Sequence, residues 1–336
     1  MLQLTRFNTV SSWWIRYWFF LGLAVVLTVG FLFHGTLDSL TKVVALRNGT
    51  VAAVMFLMAW SMDSSAVWRA FTQPKAGLCA VLINLGLLPL LAWGASCFLA
   101  DDLAVGILIA ATAPCTLASA AVWTRRAGGN DAIAVMVTVI TNLSCFLVTP
   151  CWLYLMAGNI IKMNLSPSEM IVRLSGLVVL PICVGQMLRL YGPVREWVAD
   201  HKPQLNVVSQ SGILTMVLIG AIQSGGRLSE TGGGFSPSGL DYGLMVVLTL
   251  GCHCVALATG FRIGRQLGFR REDTIAVAIS GSQKTVTVGI DIAITYFGGL
   301  TILPMVTYHV GQLIIDTFVS DRLKTPSCNP RHDVLD

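Results

Sequence analysis

Ser280-Gly281-Ser282-Gln283-Lys284-Thr285 lies inside residues 273–297, a stretch otherwise apolar enough to cross a bilayer. Val286, Val288 and Ile290 follow it directly, so the polar string is flanked by membrane-type sequence. The other basic residues fall near the end of an apolar segment or in a loop, and Lys284 does not. An ammonium at membrane depth costs roughly 2.5–3.5 kcal/mol on insertion scales. Such a residue needs a compensating partner or a task, and its default reading is a functional site facing a cavity. The plainer alternative is a lysine that snorkels to an interface or braces a helix crossing.

The rest of the chain fits that reading. Its 336 residues are 54% apolar and 12% charged, against about 25% charged in soluble domains. Mean hydropathy is +0.72, and no polar interval is long enough for a separate soluble domain. The expectation is one polytopic membrane domain over residues 1–336. The net charge of +5 is a matter of topology and no signal for nucleic acid. Cys79, Cys97, Cys115, Cys145, Cys151 and Cys183 sit inside apolar segments, as reduced thiols do, with no disulfide framework. The N-terminus lacks a small-residue cleavage site and reads as a retained helix.

Ten candidate spans follow from length and hydropathy: residues 17–34, 48–68, 76–99, 103–124, 131–156, 169–191, 206–224, 240–262, 273–297 and 300–320. Trp13, Trp14 and Trp18 fit an interfacial aromatic belt. The longest loops, 157–167 and 225–238, are too short for domains, and Gly232-Gly233-Gly234 reads as a flexible joint. With ten spans, sixteen Lys/Arg fall on the side of both termini and five on the other, Lys284 being the remaining one. That asymmetry puts both termini in the cytoplasm of a multi-pass inner-membrane protein.

Ten spans divide into two five-helix halves, about 12–156 and 168–322, and an odd number per half inserts the second half upside down. Two corresponding spans are interrupted. In the fourth, Ala111-Thr112-Ala113-Pro114-Cys115-Thr116 puts a proline mid-span, and in the ninth the Lys284 string does the same with polar residues. Paired interruptions in inverted halves point to a transport site. Broken helices leave N–H and C=O groups that only protein or a water-filled cavity can satisfy. Alone, either feature would be an ordinary proline kink or a Ser/Gly helix contact.

Other polar positions are less specific. Asp291 is two turns beyond Lys284 on the same face, roughly 10 Å along a helix axis, too far for a direct ion pair. His309, Gln312 and Asp316 form a stripe on the tenth span, either a cavity wall or proton relay, or else interhelical hydrogen bonds, with Asp316 close enough to the cytoplasmic end to be solvated. Thr138, Thr141 and Asn142 share a face of the fifth span, and Asn142 is the costlier in lipid. Cys252-His253-Cys254 suggests a metal, but adjacent helical side chains diverge by about 100° and do not easily chelate one ion. No metal and no cofactor is expected. Nucleotide-binding and hydrolase motifs are absent from the sequence, and no enzyme chemistry is expected.

At Ala113-Pro114-Cys115-Thr116-Leu117-Ala118-Ser119, Gly129-Asn130-Asp131-Ala132, Gly281-Ser282-Gln283-Lys284-Thr285 and Pro304-Met305-Val306-Thr307-Tyr308-His309 the chain resembles the bile acid:sodium symporter superfamily, and within it the SBF-like branch. The resemblance runs from the first span to the tenth. It implies an all-α fold with broken, crossing fourth and ninth helices in a core domain that moves against a panel domain. It also implies a sodium site, and there this chain departs. Sodium-dependent members carry Ala-Ser-Asn on the fourth helix, where this chain has Ala118-Ser119-Ala120. On the fifth, the family Ser falls on Ala134 and the Thr on Thr138. On the ninth, a Glu four residues before Gln283 is replaced by Ile279, and the Asn after it by Lys284. A hard cation wants several oxygens, usually including a carboxylate. The expectation is that the Lys284 ammonium stands in for sodium.

The function expected from sequence is secondary transport of a small organic anion across a lipid bilayer, coupled to protons or uncoupled. Thr112, Pro114, Thr116, Ser119, Thr138, Asn142, Gly281, Ser282, Gln283, Lys284, Thr285, His309 and Gln312 are the candidate binding residues, with Pro114 and Gly281 permitting the breaks. Two alternatives stay open. One is a cation/proton antiporter-like exchanger in which Lys284 titrates against Asp291, and the other is a regulatory membrane protein that transports nothing.

Overall fold

The computed structural model describes residues 4–63, 74–117, 119–157, 166–230 and 237–324, with side chains from residue 18 onward except that of Glu230. Trp13 and Trp14, Gly232-Gly233-Gly234 and the end of the second expected span lie outside these descriptions. Among the described residues every regular element is a helix. We number them α1 (Leu4–Leu32), α2 (His34–Thr41), α3 (Val44–Ser61), α4 (Pro74–Ser96), α5 (Asp101–Thr112), α6 (Ser119–Arg126) and α7 (Asp131–Ala157). There follow α8 (Pro167–Leu188), α9 (Gly192–Asp200), α10 (Lys202–Glu230), α11 (Gly239–Gln266), α12 (Arg271–Ser282), α13 (residues 286–297) and α14 (Ile302–Leu323).

Among the described residues seven helices are long and apolar enough to cross a membrane, and α1 with α2, bent by 103° between them, makes an eighth if the pair is one span. The chain is thus a multi-pass membrane protein. The expected spans at 103–124 and 273–297 are each two short helices. The first halves, α5 and α12, have 12 residues each, about 18 Å of rise against a hydrocarbon core of roughly 30 Å. Neither half reaches across alone. The expected loop at 225 is a correction in the other direction: α10 runs on through Gly225 and Gly226.

The two breaks have different causes. At the first, Ala113 adopts ψ 151°, the extended region to which a following proline drives its neighbour. Pro114 has no N–H to continue the ladder. The second break has no proline. Gln283 and Thr285 are extended, with ψ 144° and 134°, and their neighbours' peptide groups are held from outside the helix. Lys284 N–H donates to Gln312 Oε1 and Lys284 C=O accepts from Gln312 Nε2, both at 2.8 Å. Gly281, expected to permit this break, sits inside helical α12 and has no positive φ. Its use is close packing: a Cβ there would stand 3.2 Å from the Ile83 side chain on α4.

Proline also shapes α4. Leu88 N–H bonds to Ile83 C=O, one residue further back than in an α-helix, making a π-turn over Ile83–Leu87. In that register the next donor would be residue 89, which is Pro89 and has none. The carbonyls of Asn84 and Leu85 are therefore released from the helix. Trp152 Nε1 donates to Leu85 O at 2.7 Å, and Asn84 O is left for the site described below. Around this arrangement α4–α7 and α11–α14 gather on one side, while α1, α3, α8 and α10 pack on one another.

Candidate functional site

Lys284 is completely buried between the broken helices. Its Nζ donates to Asn84 O at 2.7 Å, Asn84 Oδ1 at 3.0 Å and Ala113 O at 2.7 Å. Three oxygens thus match the three N–H donors of an ammonium. Ala113 O belongs to the last peptide of α5, and Asn84 Nδ2 in turn donates to Ser280 O, Gly281 O and Gln283 O at 3.2, 3.3 and 2.9 Å. Those three carbonyls are the end of α12. The negative ends of two half-helix dipoles therefore converge on one cation and one amide. No side-chain carboxylate touches Nζ among its hydrogen-bond partners.

The two breaks are tied directly. Thr285 N–H donates to Pro114 O at 2.8 Å, so each interrupted segment satisfies a peptide group of the other. From α7, Asn142 Nδ2 donates to Cys115 O at 2.8 Å, Thr141 Oγ1 accepts from Cys115 N at 3.1 Å, and Thr138 Oγ1 donates to Thr116 O at 3.1 Å. Thr116 Oγ1 accepts from Ser119 N at 2.9 Å, capping the start of α6. Ser119 Oγ donates to Gln283 Oε1 at 2.8 Å, linking α6 to the second break.

A second polar group lies behind Gln283. Its Nε2 donates to Asp316 Oδ2 at 2.5 Å, and Asp316 Oδ1 is 3.2 Å from His253 Nε2. His253 Nδ1 is 3.2 Å from Ser282 O, which also accepts from Tyr308 OH at 2.7 Å. His253 and Asp316 are fully buried. Asp316 is thus the structural correction to a residue expected near solvent: α11 covers it.

The structure brings Pro114, Thr116, Ser119, Thr138, Asn142, Ser282, Gln283, Lys284, Thr285 and Gln312 together around the crossing. One candidate, Thr112, stands apart, and His309 reaches the crossing through Gln312. Thr112 Oγ1 bonds back to Ile109 O at 3.3 Å within its own helix. His309 turns to Gln312 Nε2 at 3.1 Å and sets its ring edge-on to Phe19 of α1. Asn84, His253 and Asp316 are the central residues that sequence reading passed over or misplaced. An Asn in an apolar run five residues before a proline was the available signal for the first.

Asp291 has a different partner from the one considered for it. Arg173 of α8 holds it through Nε at 2.9 Å and Nη2 at 2.6 Å, and Arg47 Nε lies 3.6 Å away. Arg173 Nη2 also donates to Asn48 Oδ1 at 2.7 Å. Two guanidiniums face one carboxylate that is 1% exposed. Asp291→Asn is expected to destabilise the fold by about 3–5 kcal/mol, the usual result of breaking a buried pair from one side. Thermal unfolding of the purified variant checks this, and a loss under about 1 kcal/mol would make the cluster peripheral.

The model of the SBF-like CPA transporter family matches residues 17–325, nearly the whole chain and both breaks. The chain belongs to the SBF-like CPA transporter family. Among its relatives, "Sodium/bile acid cotransporter 7" of Rattus norvegicus is 24% identical over 292 residues, 82% of each chain. The same-named protein of Xenopus tropicalis is 22% identical over 321 residues, 92% of each. "Uncharacterized sodium-dependent transporter YocS" of Bacillus subtilis is 26% identical over 288 residues, 85% of this chain and 84% of that one. The family and these relatives are transporters and not enzymes. Within this SBF-like member, the oxygens at the crossing are already met by N–H donors: three by the Lys284 ammonium and three by the Asn84 amide. Gln283 is likewise spent on Ser119 and Asp316. Among the described residues no cluster of three or more His, Cys, Asp or Glu is arranged to hold a metal ion.

Proposed function

We propose that this chain is a secondary transporter of a small organic anion across the inner membrane, with the Lys284 ammonium as a built-in cation where sodium-dependent relatives would bind sodium. The observation that carries the reading is the cage of Asn84 and Ala113 oxygens around Nζ, at the convergence of two half-helix ends. A sodium ion and an ammonium cannot share those oxygens. Coupling then falls to protons, or the protein is a uniporter. Ten spans in inverted halves, about 12–156 and 168–322, form one domain with both termini cytoplasmic. In its favour, the broken pairs α5/α6 and α12/α13 occupy corresponding places in the two halves, and each begins with a 12-residue helix. The packing of α1, α3, α8 and α10 on one another supports a panel against which the crossing-helix core moves.

An anion is favoured because the fixed charge is positive and half-helix N-termini point into the crossing region. Thr116, Ser119 and Thr138 supply hydroxyls there, and Pro114, Asn142, Gly281, Ser282, Gln283, Thr285 and Gln312 hold the frame. Lys284 acts through the field it sets, because its donors are already used. The exchanger alternative is weakened, since Asp291 is engaged by Arg173.

The test is a thermal-shift screen of carboxylates, phosphates, sulfates and monovalent cations on the purified protein, followed by flux of each hit in liposomes containing only this chain. A solute that binds the folded state raises its melting temperature. The expected result is an anion that stabilises, is transported, and loses its shift in Ser119→Ala and Thr138→Val. Cation exchange without anion flux would establish the alternative, and absence of any flux would leave a regulatory protein.

A further inference from the structure

His253 and Asp316 are fully buried, and their hydrogen bonds do not close without one additional proton. Ser282 O, a peptide oxygen, only accepts, so the facing His253 Nδ1 carries hydrogen. In a neutral imidazole that leaves Nε2 with a lone pair. Nε2 points at Asp316 Oδ1 from 3.2 Å, and an ionised carboxylate there would oppose lone pair to lone pair. One proton removes the conflict. On Nε2 it makes an imidazolium–carboxylate pair, and on Oδ1 it makes a carboxylic acid donating to a neutral imidazole. Either way the pair is uncharged overall.

The remaining oxygen cannot supply the answer. Asp316 Oδ2 accepts from Gln283 Nε2, because Gln283 Oε1 is occupied by the Ser119 hydroxyl. Ser119 in turn lies 2.6 Å from Thr116 Oγ1, so the donors run in order from Thr116 through Ser119 and Gln283 to Asp316. The sequence of donors ends on Oδ2 and leaves the Nε2–Oδ1 contact as the place for the extra proton.

We propose that His253 and Asp316 together bind one exchangeable proton, and that this is the coupling proton of the transport cycle. The second half of the statement rests on the transport reading above; the first does not. The pair bridges α11 and α14 and touches the second break through Ser282 O and Gln283. Losing the proton would set Nε2 and Oδ1 in repulsion and leave a buried negative charge beside the break, so the deprotonated state favours a different packing of α14 against α12. Among the described residues the other titratable groups around it are Lys284 in the break, Tyr308 and His309 on α14, Cys252 and Cys254 on α11, and Cys115 in the first break. Tyr308 shares Ser282 O with His253 and meets its ring edge-on at 5.6 Å. His309 is turned to Gln312, and Lys284 is held by Asn84 and Ala113. None of these supplies a second carboxylate to the pair.

The experiment uses full-length protein in detergent, labelled with nitrogen-15 histidine and followed by NMR between about pH 5 and 9, the range in which histidine charge changes occur. His253→Gln assigns the signal. Nδ1 is expected to stay protonated while the Nε2 environment changes in one step, and the step should vanish in Asp316→Asn, whose amide can donate to Nε2 without an extra proton. Infrared difference spectra of wild type over the same range, with carbon-13 aspartate, give a second readout if that variant does not fold. They should show a loss of one proton from the carboxyl or the imidazole. A bare Nε2 beside an ionised Asp316 at the lowest pH, or a step unchanged in Asp316→Asn, would overturn the site. No solute is present, so either failure leaves anion transport standing. In liposomes, Asp316→Asn should still pass the anion downhill but lose its response to an imposed pH gradient. A full response in that variant would overturn the coupling role alone.

Discussion

Lys284→Met is expected to destabilise the protein by about 3–5 kcal/mol, the largest loss of any one substitution in the crossing. Methionine fills a similar volume but donates nothing. Asn84 O, Asn84 Oδ1 and Ala113 O would each lose a bond of 2.7–3.0 Å in a fully buried setting. A buried acceptor left unpaired costs about 1–3 kcal/mol, and relief from burying an ammonium offsets part of the sum. The two half-helix ends would also face one another with no cation between them. Unfolding can be followed by a thiol-reactive dye, because Cys115 and Cys145 are buried in the native state and alkylate when it opens. Lys284→Arg should lose less than Lys284→Met, since it keeps the charge but forces a larger planar group into a packed site. Equal stability of wild type and Lys284→Met would show that the ammonium is incidental.

Asn84→Leu is expected to match that loss to within about 1 kcal/mol, because the amide performs two tasks at once. Its nitrogen meets the three carbonyls that end α12, and its oxygen meets Lys284. Leucine leaves all of these without their partner. Asn84→Asp should be milder, about 1–3 kcal/mol: it pairs with the ammonium but turns a negative group toward the α12 carbonyls. Residues in one network do not act independently, so the Lys284→Met/Asn84→Leu double variant should fall short of additivity by about 1–3 kcal/mol. Melting curves of the four proteins in one detergent give that coupling energy. Simple additivity would mean that the two side chains do not share a cage.

Much of the fold could be read from residue types because the bilayer narrows the choices. Pro114 announced the first break, and the run around Lys284 announced the second, since neither fits an unbroken apolar helix. What composition could not give was the partner of each polar group. Lys284 lies 200 positions along the chain from Asn84, and nothing local links them. The Pro89 effect on α4 needed the π-turn to be seen before the free Asn84 carbonyl made sense. Glycine permits many conformations, so Gly281 reads from sequence as permitting the break, whereas its task is contact with Ile83. From sequence, His253 and its cysteine neighbours suggest only a metal, which adjacent helical side chains do not easily chelate. The histidine's actual partners, Ser282 and Asp316, come from other helices. The distance of Asp316 from the end of its span says nothing about the helix that covers it.

The central claim is that this transporter carries its cation in its own sequence. The most direct test is the melting temperature of wild type and of Lys284→Ala in sodium, potassium, ammonium and choline chlorides at equal ionic strength. Wild type should be indifferent to the choice of cation. Lys284→Ala, with a vacated space lined by the Asn84 and Ala113 oxygens, should melt lower in choline and recover in a saturable way with one of the small cations. Saturable stabilisation of wild type by sodium, unchanged in Lys284→Ala, would contradict the account.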